Sequence, residues 1–181
     1  MIRVEVDRKD LRYVQKKLGH LRKETPKVVC RAVNKTASQS KTMLATKVRE
    51  EYTVKSGKFK RNMNIKKATY SLPEAEIRAH GSPMGITSFK TSAPKKAGGK
   101  AAIIKGNGLK QLIKGQIKAF KGPGGQMYQR KGPKRLPIKK LFSNSAPKMI
   151  ENDRVYGQLK PEIESILQKN IEAQIKFVTS R

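Results

Sequence analysis

The stretch Arg130-Lys131-Gly132-Pro133-Lys134-Arg135-Leu136-Pro137-Ile138-Lys139-Lys140-Leu141-Phe142-Ser143-Asn144-Ser145-Ala146-Pro147-Lys148-Met149 separates two kinds of structure. Prolines at 133, 137 and 147 each lack a backbone donor and crowd the preceding turn, so no ordinary helix runs through it. Seven Lys or Arg side chains share the stretch with no acid. Leu136, Ile138, Leu141 and Phe142 are nonetheless spaced to reach a core, which a flexible basic tail has no reason to carry. The pattern predicts a rigid, extended strap that displays positive charge and is pinned to a globular body by Ile138, Leu141 and Phe142.

On its N-terminal side the strap closes a long acid-free block. Between Glu76 and Glu151 lie 74 residues with 17 Lys or Arg and no Asp or Glu, and 11 of the 14 glycines fall between Gly81 and Gly132. Residues 81–100 show almost no periodicity and read as a flexible basic loop. Short strands are predicted at 101–105, 116–120 and 126–131, punctuated by Gly106-Asn107-Gly108 and Gly122-Pro123-Gly124-Gly125. Leu109, Leu112 and Ile113 read as one helical turn.

Further out, both ends of the chain turn helical. Leu159, Ile163, Ile166, Ile171, Ile175 and Val178 form an apolar stripe after the strap, with Leu167 beside it. Asn152 or Asp153 is placed to cap this helix, and Pro161 to kink or restart it. At the other end, Ile2, Val4 and Val6 alternate with charged residues as in a half-buried strand. Asp7 caps a helix carrying Leu11, Val14, Leu18 and Leu21, and Gly19 weakens its end. Thr25-Pro26 starts a second helix that runs to about Tyr52, with Thr25 as N-cap. One of its faces, Val29, Val33, Ala37, Ser40, Leu44 and Val48, is rich in small residues. It packs either within its own domain or against another subunit. Ser56-Gly57 marks a break, and Asn64–Tyr70 with Glu74–Ala79 read as a hairpin turning at Leu72-Pro73. The fold class is therefore α+β: a small mixed or antiparallel sheet packed by a long N-terminal helix and a C-terminal helix, with a basic Gly-rich insertion. Residues 1–181 suffice for a single domain of ordinary size.

Charge dominates the composition, with 42 basic against 13 acidic residues and a net charge of +29. Such a surface calls for a polyanionic partner, whether nucleic acid, acidic membrane or acidic protein. One cysteine allows no internal disulfide, and the N-terminal residues have no apolar run of signal-peptide type. No apolar run is long enough to span a bilayer, so the expectation is a soluble protein without membrane contact.

Catalytic constellations do not assemble from these residues. Two histidines, His20 and His80, and Cys30 give no zinc spacing, and Cys30 reads as a small core residue. Glu74 and Glu76 share one strand face, which offers a poor metal site and reads better as a solvated surface. The glycines at 98, 99, 106 and 108 lack the strand–loop–helix context of a phosphate loop. The expectation is a protein that is not an enzyme and needs no cofactor or metal. As candidate contacts for DNA or an acidic neighbour, the basic block offers Lys95, Lys96, Lys100, Lys105, Arg130, Lys131, Lys134, Arg135, Lys139 and Lys140. Candidate structural anchors are Phe120, Pro137, Ile138, Leu141, Phe142 and Pro147. Aromatic residues are thinly interleaved, and no RNP, KH, zinc-finger or helix-turn-helix signature accompanies the charge.

Two separated stretches resemble the minor tail protein Z group of tail-completion proteins from tailed phages and prophages. One is Arg31-Ala32-Val33-Asn34-Lys35-Thr36-Ala37. The other runs from Ile117-Lys118-Ala119-Phe120 through Met127-Tyr128-Gln129-Arg130 to Arg135-Leu136-Pro137-Ile138 and Pro147. Lys66-Lys67-Ala68-Thr69 and the hairpin after it also resemble the family, whereas Lys118 stands where members often have Gly. The resemblance implies a structural virion protein of the tail, made in the bacterial host cytoplasm and acting at the head-proximal end or neck. It further implies a homo-oligomeric ring, tail-tube, terminator or other neck proteins as partners, and a charged face that meets acidic protein or the DNA backbone. The rival reading is a non-specific nucleic-acid-binding protein of ribosomal or nucleoid type.

Overall fold

In chain order the computed structural model contains β1 (Ile2–Glu5), α1 (Arg8–Leu18), α2 (Thr25–Glu51), α3 (Ser56–Lys60), β2 (Met63–Lys66) and β3 (Glu74–Ala79). Then come β4 (Lys90–Ser92), β5 (Lys100–Ala102), β6 (Lys110–Gln111), β7 (Ile113–Lys114), β8 (Ile117–Lys118), β9 (Phe120–Lys121), β10 (Met127–Arg130) and β11 (Ile138–Lys140). The helices α4 (Ala146–Ile150) and α5 (Tyr156–Thr179) close the chain. Residues 1–94 and 97–180 are described. Helix and antiparallel sheet are mixed as the α+β reading requires, with a long helix towards each end. The chain divides into two compact units. Unit one comprises Met1–Leu44, Met63–Ala79 and the residues from Tyr156 on; unit two comprises Ala45–Asn62 and His80–Val155.

Unit one is built on helix stripes. Asp7 accepts a hydrogen bond from the Asp10 amide at 2.6 Å, the N-cap expected, and Gly19 ends α1 at φ +53°. Of the stripe predicted for α1, Val14 and Leu18 are buried while Leu11 is exposed. Thr25 does not cap α2. A 3-10 segment, Gly19–Glu24, runs straight into the helix, so Thr25 is itself helical at φ −49° and ψ −50°. Its buried hydroxyl finds no partner among the described residues. The small-residue face of α2 is covered within the chain: Val29, Val33, Ala37, Ser40, Leu44 and Val48 are all buried. On α5, Leu159, Ile163, Leu167, Ile171 and Ile175 are buried, and Pro161 lies inside one helix. Asn170 joins this buried face and donates to Thr36 Oγ1 at 2.9 Å and to Gln39 Oε1 at 2.7 Å. The stripe pattern does not reveal that polar link.

The sheet of unit one has the order β1-β3-β2, antiparallel throughout, with Ile77 opposite both Ile2 and Ile65. Glu76 is not on a solvated face. It is 6 % exposed, opposite Arg3 and Lys66, and accepts from Arg78 Nε at 2.7 Å and from a second Arg78 nitrogen. The hydrogen bond from Arg78 holds its carboxyl below the ordinary glutamate range, helped by the charges of Arg78, Lys66 and Arg3 and opposed by burial. Glu74 lies 3.8 Å from Arg3.

Unit two gathers short strands around Ile86, Ala101, Ala119 and Met127, with Ala93, Ile103, Leu112 and Leu141 packed against them. Its sheets are ordered β4-β5-β6, β7-β8 and β11-β10-β9. Residues 109–113, expected as a helical turn, are instead the edge strand β6 and the start of a hairpin. Gly115, at φ +59°, supplies the left-handed position of the Gly115-Gln116 loop that joins β7 to β8. Residues 81–94 carry a 3-10 turn, Ile86–Ser88, and strand β4, and they bury Met84, Ile86 and Phe89. These apolar residues stand two and three apart, which matches no sustained helix or strand period. Asn152 does not cap α5. Its amide donates to Tyr52 Oη at 2.8 Å, its oxygen accepts from the Arg154 amide, and the helix begins only at Tyr156. Ser145 caps the short α4 in front of it.

Candidate functional site

Each stretch of the signature does identifiable work in its own unit. In unit one, Asn34 treats Ala68 as a neighbouring strand would. Its Nδ2 donates to the Ala68 carbonyl at 3.0 Å and its Oδ1 accepts from the Ala68 amide at 2.8 Å, while Cys30 Sγ donates to the same carbonyl at 3.3 Å. A primary amide matches a peptide group in donor and acceptor spacing, so one side chain pairs a buried backbone unit that no strand reaches. The stretches 31–37 and 66–69 therefore meet.

In unit two, the Phe120–Pro147 signature becomes the sheet β9-β10-β11 and its exit. Opposed pairs are Phe120–Tyr128, Tyr128–Lys140, Gln129–Lys139 and Arg130–Ile138. Alternation along a strand then decides what faces where. Met127 and Gln129 point inward and are buried, and Gln129 donates to the Ile117 carbonyl at 2.9 Å. Tyr128, Arg130, Ile138 and Lys140 share the outer face, with Phe120 stacked on Tyr128 at 6.3 Å between ring centroids. Lys140 lies 5.5 Å over the ring of Phe142. Aromatic and cationic groups far apart in sequence thus form one face.

The strap is pinned, but not by the side chains expected. Leu136, Ile138 and Phe142 are 66 %, 37 % and 55 % exposed; of the strap's apolar anchors Leu141 is the one packed against the core, and outside the strap Phe120 is partly covered. Backbone bonds hold it instead. Leu141 donates to Met127 O at 2.9 Å, Ile86 donates to Leu141 O at 3.0 Å, and Ser143 donates to Met84 O at 2.8 Å. Pro137 accepts from the Lys131 amide and closes the 131–137 loop, and Pro147 stands in the first turn of α4. The prolines lack the amide needed to continue a ladder, which leaves carbonyl acceptance as their contribution.

Lys95 and Lys96 lie outside the described residues. Lys100 sits on β5 and Lys105 in the exposed turn after it, with its amide bonded to Glu51 O. Lys131, Lys134 and Arg135 are exposed in the strap loop, and Lys139 and Lys140 lie on β11. Lys110, Lys114, Lys118 and Lys121, which were not named singly among the candidate contacts, are exposed on β6 to β9. Their four- and three-residue spacing around the Gly115-Gln116 turn was the available signal. Lys118, where the resembling family often has Gly, lies against Gly98: a Cβ there would come within 2.9 Å of Lys118 Cβ. Unit two holds 23 Lys or Arg against four Asp or Glu, and unit one 19 against nine.

Among the described residues no group of three or more His, Cys, Asp or Glu is placed to hold a metal ion. No helix among them is long and apolar enough to cross a membrane. Comparison with curated proteins and with solved structures gives no match. A family model described as prophage minor tail protein Z (GPZ) matches residues 9–181, nearly the whole chain. The chain belongs to the prophage minor tail protein Z family, whose role is structural and whose place is in the phage tail among other tail proteins.

Proposed function

We propose that the protein completes the head-proximal end of a phage or prophage tail, where copies join as a ring at the neck and the basic unit faces the channel or an acidic neighbour. In this reading residues 1–181 act as one tail-completion domain without catalytic duty. The charge of unit two supports the reading, because its lysines and arginines from Lys100 to Lys140 stand on short strands and turns in a stretch without acid. Self-repulsion of that size is relieved only by bound anions. Lys100, Lys105, Arg130, Lys131, Lys134, Arg135, Lys139 and Lys140 serve as the contacts, joined by Lys110, Lys114, Lys118 and Lys121. Partners of matching chemistry are tail-tube or terminator subunits and the DNA backbone. Deleting the gene tests this. The expected outcome is full heads and full-length tails that stay unjoined, with the labelled protein at the head-proximal end of complemented particles. Infectious particles without it, or a label at the distal tip, overturn the proposal.

A second reading, non-specific nucleic-acid binding, is favoured by the cationic hairpin and by the Phe120–Tyr128 face. Salt titration against duplex DNA separates the two. A steep loss of submicromolar affinity with rising salt, shown by an isolated monomer, supports the second reading.

A further inference from the structure

On the outer face of the β9-β10-β11 sheet Ile138 and Phe142 stand exposed, with Arg130 opposite Ile138 and Lys140 over Phe142, and no described residue is seen to cover them. Over Ile138–Lys140 its strand β11 pairs, among the described residues, with β10 alone, whereas the continuation at Phe142 is bridged to Gly85. Such a face selects a partner that offers carboxylates around an apolar floor. Unit one of the same chain carries that complement. A groove of about 580 Å³ is lined by Glu5, Asp7, Asp10 and Glu164, with Pro161 and the buried Leu167 among its walls and Lys9 the one cation among the described residues that line it. Four of the chain's 13 acidic residues thus meet in one place; among the described residues none of them is in an ion pair, while Asp10 Oδ1 accepts from Gln168 and Asp7 Oδ1 from the Asp10 amide.

We infer that the occupant of the sheet face is a second copy of this chain, presenting its acidic groove. Two like faces bring cation against cation, so the contact joins unlike surfaces, and a contact of unlike surfaces repeats from copy to copy until it closes. Phosphate fits this face less well, because it gives no return for the exposed Ile138 and Phe142. The inference rests on the ring reading above and supplies its subunit contact.

A charge-swap experiment tests it on the full-length purified chain. Sedimentation velocity at low and physiological salt compares wild type with a groove variant, Glu5→Lys/Glu164→Lys, and a face variant, Arg130→Glu/Lys140→Glu. Wild type self-associates, and each variant alone associates more than about tenfold more weakly. Mixing the two variants restores association, because each then offers what the other lacks. Hairpin reversal, Lys110→Glu/Lys114→Glu, leaves self-association unchanged. Circular dichroism verifies folding, and Arg130→Gln/Lys140→Gln replaces the reversal if that pair unfolds. A monomeric wild type, variants that associate normally, or a mixture that stays apart overturns the contact. Loss of DNA retention by the face variant with self-association intact also overturns it, and assigns the face to phosphate. Particle assembly in the deletion strain is scored separately, so the tail-completion reading survives or fails on its own.

Discussion

Unit one is ordered by side-chain stripes along long helices; unit two is ordered by backbone bonds between short segments packed around a few large buried side chains such as Phe59 and Phe89. In unit one the stripes of α2 and α5 exclude water over long helices, and the half-buried Asn34 and the buried Thr36 and Asn170 are matched to partners, whereas the buried hydroxyls of Thr25 and Ser40 find none among the described residues. In unit two strands of two to four residues bury few large side chains and depend on carbonyl–amide bonds between segments far apart in sequence, such as Thr53 to Ile103 and Leu141 to Met127. The difference has a functional sense. A unit stabilised through its backbone leaves its side chains free to be cationic, and unit two uses that freedom.

The largest expected effect tests the first half of this contrast. Ile171→Ala removes a fully buried side chain from α5 and is expected to cost about 2–5 kcal/mol in chemical denaturation. A cost under about 1 kcal/mol breaks the picture of a stripe-built unit. Next, Gly122→Ala tests close approach in unit two. Gly122 has an ordinary extended backbone, but a Cβ would lie 2.5 and 2.8 Å from Tyr128 ring atoms, so the ring must leave Phe120. About 1–3 kcal/mol is expected, with altered tyrosine fluorescence; an unchanged spectrum contradicts the steric account. Asn34→Ala strips both bonds from the Ala68 peptide and is expected to cost about 1–3 kcal/mol, whereas Asn34→Gln rescues little because its longer stem misplaces the amide.

A smaller effect concerns acid. Because the Glu76 carboxyl titrates below its ordinary value when folded, its contribution is present above the unfolded value and is lost as pH falls through the folded one. The stability gap between wild type and Glu76→Gln should therefore shrink as pH drops below the usual glutamate range; a gap that is constant from neutral to acid pH refutes this. Smallest of all, in stability terms, is Lys110→Gln/Lys114→Gln/Lys118→Gln, within about 0.5 kcal/mol of wild type because these side chains are exposed. Heparin or DNA retention should nonetheless fall, with a shallower salt dependence. Equal retention would remove the hairpin from the polyanion face.

Legibility in the sequence followed the same divide. The stripe through Val29, Val33, Ala37, Ser40, Leu44 and Val48 has a period that sequence displays, and it is buried throughout. The β1 alternation and the Asp7 cap were equally plain, because each is a local interaction. Thr25 misled because its cap chemistry is real, yet the preceding 3-10 segment had already made it helical. Strands as short as β6 to β9 have no period to read. At the strap, spacing suggested that Ile138 and Phe142 reach a core, but the bonds of Leu141 and Ser143 fix the strap without them. As for the candidate site, the charge was visible from composition. The meeting of Phe120, Tyr128, Lys140 and Phe142 was not, since strand register creates it.

The Asn34–Ala68 clamp has a consequence for how such a chain can vary. Its contacts end on the backbone of residue 68, so the clamp is indifferent to which side chain stands there provided it is small enough to be covered. Position 34 has no such latitude: a shorter, longer or charged side chain loses one of the two bonds. Among related chains the two ends of this one contact are therefore expected to drift at different speeds, and a search for paired substitutions would pass over it.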